Sequence, residues 1–169
     1  MDEVHFQQYG SRCRMWIPPE IKDPRLEHFP GRKSVGYFGA VRLRDGRFVY
    51  RRETECFNAV TCQAFLKQLR TASILAGRRV IVITDNARYH HAKLHRPWRE
   101  QHAEHFALAY LPPYSPDLNP IERVWKLVRR LRLHNRYFAT LAEVSEVVES
   151  LFGQWRRGND TLRRLCAIT

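Results

Sequence analysis

The sequence predicts an α/β fold, a mixed sheet with helices on its faces. Three observations predict it. The chain opens with strand-like alternation and a hairpin signal, continues as helix, strand, helix, strand, and closes with two helices that each carry an apolar stripe.

Residues 2–8 alternate, with Asp2, Val4 and Phe6 on one face and Glu3, His5 and Gln7 on the other, the period of a strand. Residues 15–17 form a short apolar patch that Pro18 and Pro19 halt. Residues 34–43 are rich in Val, Tyr and Phe. Asp45 and Gly46 then make a turn, and residues 47–51 continue as a second strand of a hairpin. Thr61 can cap the helix that follows. Its stripe is Phe65, Leu66, Leu69 and Ala72, and Gly77 is its stop. Val80, Ile81, Val82 and Ile83 read as a central strand buried on both faces, ending at Asp85 and Asn86. Residues 91–103 look helical but polar, residues 106–111 form another short strand, and the LPPYSPD run at 111–117 is a rigid connector. One closing helix starts at Asn119 and Pro120, with Ile121, Val124, Trp125, Val128 and Leu131 on one face. The other starts at Thr140, with Glu143 in the capping-box position and Leu141, Val144, Val148, Leu151, Phe152 and Trp155 as its stripe. No internal repeat, low-complexity tract or long linker interrupts this order.

A length of 169 residues suits one domain, and 44% hydrophobic with 12% aromatic residues argues against disorder. The net charge of +12, from 29 Lys and Arg against 17 Asp and Glu, points to a polyanionic partner, with nucleic acid the default. No stretch is long and apolar enough to span a membrane, and the first residues lack the basic start and apolar run of a signal peptide. A cytoplasmic protein is expected. Cys13, Cys56, Cys62 and Cys166 are scattered without a C-x-x-C pair, which reads as reduced thiols rather than a disulfide framework or zinc site.

Metal chemistry needs oxygen ligands converging from different elements. Asp2 lies on the first strand, Asp85 ends the 80–83 strand where open sheets place their ligands, and Glu122 lies in the first turn of a helix. If the first and fourth strands are neighbours, the three acids meet. Two cations about 4 Å apart could then bridge one phosphate. Each acid also fits a structural role: a solvated residue near the chain start, a turn former, and a helix cap in which Asn119 and Glu122 pair behind Pro120. Asp117 competes with Glu122 for the third position, although its Ser-Pro-Asp-Leu context reads as a turn.

The motif LPPYSPDLNPIERVW at 111–125 resembles the signature of mariner-like transposases, above all the insertion sequence six-thirty family. ITDNARYHH at 83–91 is similar to the second acidic motif of that family, and DEVHF at 2–6, followed by Gly10, Ser11 and Trp16, to its first. The 36 residues between Asp85 and Glu122, positions 86–121, fit its Asp-Asp-Glu pattern. The resemblance runs from residue 2 to about residue 155.

It implies a ribonuclease H-like fold with a mixed five-stranded sheet and helices on both faces. It also implies a DDE transposase catalytic domain that cleaves and transfers DNA strands by in-line displacement. Asp2, Asp85 and Glu122 would then be catalytic and would ligate Mg²⁺, or Mn²⁺ in its place, as two ions. Asn86, His90 and Asn119 would support them. Arg123, Lys126, Arg129, Arg130 and Arg132 would meet DNA phosphates, although a solvated helix face is the other reading of these five. Trp125, on the apolar stripe, reads as core. His90 and His91 are each read first as polar surface residues.

The implied partners are double-stranded transposon ends and target DNA, and a second copy in the DNA complex. Relatives carry helix-turn-helix modules ahead of the catalytic domain. None is read here, so residues 1–169 are taken as one catalytic domain, and a separately encoded helix-turn-helix half is a further expected partner. The expected location is the bacterial cytoplasm, at the nucleoid. The first strand reads as lacking its upstream half. The alternatives are a catalytically inactive, truncated fragment that binds DNA or inhibits, and another ribonuclease H-like nuclease acting on hybrid or branched substrates.

Overall fold

A computed structural model of the chain describes residues 1–22, 25, 27, 31–73 and 78–167. The three hairpin-region strands are β1 (Asp2–Gln7), β2 (Ser34–Val41) and β3 (Phe48–Glu53), antiparallel in the order β1-β2-β3. The register pairs Asp2 with Gly39 and Gly39 with Tyr50. At the turn between β2 and β3, Gly46 has φ +68, and a Cβ there would lie 2.0 Å from the Asn159 carbonyl oxygen, so only glycine fits.

Period-2 alternation divides the core. Val4, Phe6, Val35, Tyr37 and Phe48 face one way, into a cluster with helices α3 (Ile121–Val128), α4 (Leu141–Gln154) and α5 (Asp160–Leu165). Phe38 faces the other way, onto Cys62, Phe65, Leu66 and Leu69 of α1 (Ala59–Ser73). Helices thus cover both faces of the three-stranded sheet, as expected.

The single five-stranded sheet does not form. β4 (Val80–Thr84) and β5 (Phe106–Tyr110) pair in parallel as a separate two-stranded sheet, linked by two short 3-10 turns and α2 (Arg96–Gln101). The physical reason lies at the junction. Among the described residues, the one backbone bond joining the start of β1 to β4 is Met1 N donating to Ile83 O at 2.6 Å. One bond makes the strands neighbours without making a ladder. Beyond it, the flank of β4 borders a groove of 310 Å³ lined by residues 80–83 on one side and Ala40, Val41 and Val49 on the other. Ile81 is accordingly 60% exposed, so the strand expected to be buried on both faces is buried only in part.

Local signals at the helices are mostly honoured. Thr140 Oγ1 accepts from Glu143 N at 3.3 Å, while Glu143 Oε2 accepts from Ala139 N at 3.2 Å. At α1 the cap is Asn58 rather than Thr61. Asn58 Oδ1 accepts from Val60 N and Thr61 N, and Thr61 Oγ1 returns the favour to Asn58 N at 3.0 Å. The Gly77 stop lies outside the described residues. After Val128 the helix loosens into a π-helical turn, Arg129–Leu133. The extra residue per turn rotates Leu131 out to 40% exposure and brings Leu133 into the core instead. Residues 15–17 form no strand, and Trp16 is fully exposed.

Gly39 positions the core beside the site. A Cβ there would stand 2.3 Å from Trp125 Cη2 and 3.0 Å from Phe48 Cζ, both in buried rings. Gly39→Ala is expected to cost about 2–3 kcal/mol in urea unfolding, because rings held on all sides cannot retreat. A loss below about 0.5 kcal/mol would show that the rings repack freely.

Candidate metal centre

Asp2, Asp85 and Glu122 line one pocket of 410 Å³. Asp2 comes from β1, Asp85 from the carboxyl end of β4 and Glu122 from the first turn of α3. The connector supplies a wall through Leu111, Pro112, Pro113, Tyr114 and Ser115. That wall is held in place because Leu111 N donates to Thr84 O at 2.9 Å and Asn86 Nδ2 donates to Leu111 O. Tyr114 sits on it with φ 55 and a fully exposed ring.

Asp2 faces the α3 side of the sheet and is 8% exposed. Its Oδ2 accepts a hydrogen bond from Trp125 Nε1 at 3.2 Å. Burial first, then the neighbouring Glu3 and Glu122 carboxylates, push its pKa up from 3.8 to about 7. Glu3 belongs to the same centre, which alternation alone hides by assigning it to the opposite face. Ligand oxygens of Asp2, Glu3 and Asp85 lie within 4.8 Å of one another. The Tyr89 hydroxyl donates to Glu3 Oε1, while Glu3 Oε2 is buried without a partner among the described residues. Burial also raises the Glu3 pKa, partly offset by the Tyr89 bond. The available signal was its position beside Asp2, together with a tyrosine inside the second acidic motif.

Asp85 is held from beneath. Its Oδ1 accepts from Ala87 N at 3.1 Å and lies 2.9 Å from His90 Nδ1. An ionised carboxylate only accepts, so Nδ1 carries the proton in this pair. His90 Nδ1 also lies 3.1 Å from Thr84 Oγ1. Its ring is fully buried, which corrects its reading as a surface residue, and burial lowers its pKa against the pull of Asp85. His91 is exposed and stacks on Tyr110 at 4.2 Å between ring centroids. Asn86 Oδ1 lies 3.3 Å from His91 Nε2.

Asn119 does not cap α3 with its side chain. It is buried, and its Nδ2 donates to Met1 O at 3.4 Å, tying the helix start to the start of β1. Among the described residues Glu122 makes no capping bond, and its side chain lines the pocket. Asp117 sits in the 3-10 turn Pro116–Leu118, outside the pocket lining.

The basic residues divide by surroundings. Lys126 and Arg130 are exposed. Arg129 lies over the Phe6 ring at 5.6 Å, and Arg132 is half-buried. Arg123 spends Nη1 on the Leu165 carbonyl at 3.0 Å. All four cysteines stand as free thiols, and no helix among the described residues is long and apolar enough to cross a membrane.

The donor set fits a hard divalent cation. It consists of carboxylate oxygens alone, one of them buried and unpartnered, in a cluster whose mutual repulsion a cation would relieve.

Comparison with known proteins bears on the same residues. The DDE superfamily endonuclease family matches residues 1–145. An uncharacterized protein, y4pE/y4sA of Sinorhizobium fredii (strain NBRC 101917 / NGR234), is 33% identical over 97 residues, 57% of this chain and 65% of that protein. Among solved structures, the Mos1 strand transfer complex superposes with a TM-score of 0.69 at 22% identity, over 98% of this chain and 49% of the other. The Mos1 mariner paired end complex with Mn gives 0.65 at 20% identity, over 98% and 52%. The catalytic domain of Mos1 mariner transposase gives 0.56 at 19%, over 85% and 76%. The chain therefore spans about half the length of the Mos1 chains in those complexes. At these identities the likeness is one of fold, the mixed α/β arrangement of the Mos1 catalytic domain.

Proposed function

Because the chain belongs to the DDE superfamily of endonucleases, we propose that it acts as the catalytic domain of a DNA transposase, with Asp2, Asp85 and Glu122 as the acids that cut and join DNA strands. The observation that carries this reading is the convergence of those three carboxylates on one 410 Å³ pocket in a chain of net charge +12. Mg²⁺, or Mn²⁺ in its place and as a pair of ions, would supply Lewis-acid activation of the attacking oxygen and stabilisation of the leaving oxygen in an in-line displacement.

The protein's own residues set the geometry. Asp2 and Asp85 present oxygens from two neighbouring strand ends, and Glu122 closes the set from the helix. Ala87 N–H and His90 fix Oδ1 of Asp85, and Asn86 pins the connector that walls the pocket. Asn119 anchors the helix start to Met1. Lys126, Arg129, Arg130 and Arg132, with the remaining donors of Arg123, would hold the phosphate backbone along the same helix.

The proposed substrates are double-stranded transposon ends and target DNA. A second copy would be engaged when two ends are paired, and a separately encoded helix-turn-helix module would supply end recognition at the nucleoid. The Mos1 paired-end complexes motivate the pairing.

The test is calorimetric titration of Mn²⁺ into the wild type and Asp85→Asn, with circular dichroism on both. Binding by the wild type and none by a folded Asp85→Asn is the expected result. Two folded proteins that both fail to bind would remove the catalytic reading of this chain. A second reading, DNA binding without catalysis, draws on the net charge of +12, which favours a polyanion whether or not the acids hold a cation. Salt-sensitive DNA binding without Mn²⁺ binding would favour it.

A further inference from the structure

We propose that Trp125 is a positioning residue: its indole N–H holds Asp2 Oδ2 and so couples the orientation of the first acid to the helix that carries Glu122. The proposal rests on the metal-site reading above.

An indole N–H only donates, and a buried one requires an acceptor. Trp125 is 1% exposed, and its Nε1 meets Asp2 Oδ2 at 3.2 Å across 123 positions of sequence. The ring cannot swing away. Phe6 and Phe48 meet it edge-on, at 6.2 Å and 5.7 Å between centroids. On the sheet side it fills the space left by Gly39, the register partner of Asp2, where a Cβ would stand 2.3 Å from Cη2. A glycine on the strand, a flat ring on the helix and an acid on the neighbouring strand therefore fit as one unit.

Fixing one carboxylate oxygen sets the direction of the other. Trp125 lies three residues beyond Glu122, on the same side of α3 within one turn. One rigid helix thus provides one acid and aims a second. Core filling alone would need the ring but not the N–H. The distinction is open to test because Phe keeps an aromatic ring and removes the donor.

The first readout needs no metal. In ¹⁵N-labelled metal-free protein, the Trp125 indole signal is assigned by its loss in Trp125→Phe. In Asp2→Ala it is expected to move upfield as the bond is lost. An unchanged resonance would overturn the proposal, even if Trp125→Phe itself folds poorly. The second readout is Mn²⁺ calorimetry on wild type, Trp125→Phe and Phe152→Leu, the last a core substitution beside the Trp125 ring that leaves the indole N–H in place.

Trp125→Phe is expected to weaken Mn²⁺ binding about tenfold or more, the usual effect of losing a partner that orients a ligand, with Phe152→Leu near wild type. Equal weakening in both variants would assign Trp125 to packing alone and overturn the proposal. If the wild type binds no Mn²⁺ although the indole signal responds to Asp2→Ala, the metal-site reading has failed and the positioning role falls with it. An indole failure beside normal wild-type binding would instead sink the proposal and leave that reading standing.

Discussion

Glu122→Gln is expected to leave the fold intact and to lower metal-dependent DNA strand cleavage by on the order of a thousandfold. The size follows from removing one anionic ligand where charge stabilisation is worth several kcal/mol, each 1.36 kcal/mol being a factor of ten. The fold survives because Glu122 makes no cap bond and is only half-buried, so glutamine replaces it without orphaning a partner. The assay is nicking of a labelled transposon-end duplex in Mn²⁺, with circular dichroism as the control. Glu3→Gln is the informative companion. Glu3 rather than Glu122 shares the 4.8 Å cluster with Asp2 and Asp85. If Glu122→Gln cleaves within tenfold of wild type while Glu3→Gln is inert, the third acid is Glu3 and the assignment of Glu122 is lost.

The second large effect concerns pH. Burial and two neighbouring acids raise the Asp2 pKa in the folded state to about 7, against 3.8 for the free side chain. A raised carboxyl pKa means that the folded state binds a proton that the unfolded state has released. The associated stability is complete below pH 3.8 and is lost as pH rises through about 7. A shift of about three pH units at 1.36 kcal/mol each sets an upper bound of about 4 kcal/mol. Metal-free protein should therefore melt at progressively lower temperature between about pH 4 and pH 7. Asp2→Asn, which still offers Trp125 an oxygen, should melt with a much flatter profile. Cation affinity runs the opposite way, because only the ionised carboxylate ligates, and should climb with pH and level off above about 7. Parallel melting profiles for wild type and Asp2→Asn would show that Asp2 is not held protonated by its surroundings.

Much of this was readable beforehand because it is local. Alternation at Val4 and Phe6, the Asp45-Gly46 turn, the Thr140–Glu143 cap and the stripes through Val124, Val148 and Phe152 all act within a few residues. Asp2, Asp85 and Glu122 were legible as candidates through motif resemblance, with strand and helix ends to place them. Local reasoning failed where two local signals compete, as at Asn58 and Thr61. It failed again where a helix changes its pitch, so that Leu133 replaces Leu131 in the core.

The sequence by itself determined the element types, the two-sided core and the family, since periodicity, caps and a long motif are properties of contiguous residues. Tertiary structure alone decided that β1 meets β4 through the backbone bond at Met1, that Glu3 joins the acids, that His90 is buried beside Asp85, and that Trp125 holds Asp2. The reason is physical. These features depend on which polar groups lose water together, and on how strand ends from distant parts of the chain abut, and neither is encoded by neighbours in sequence.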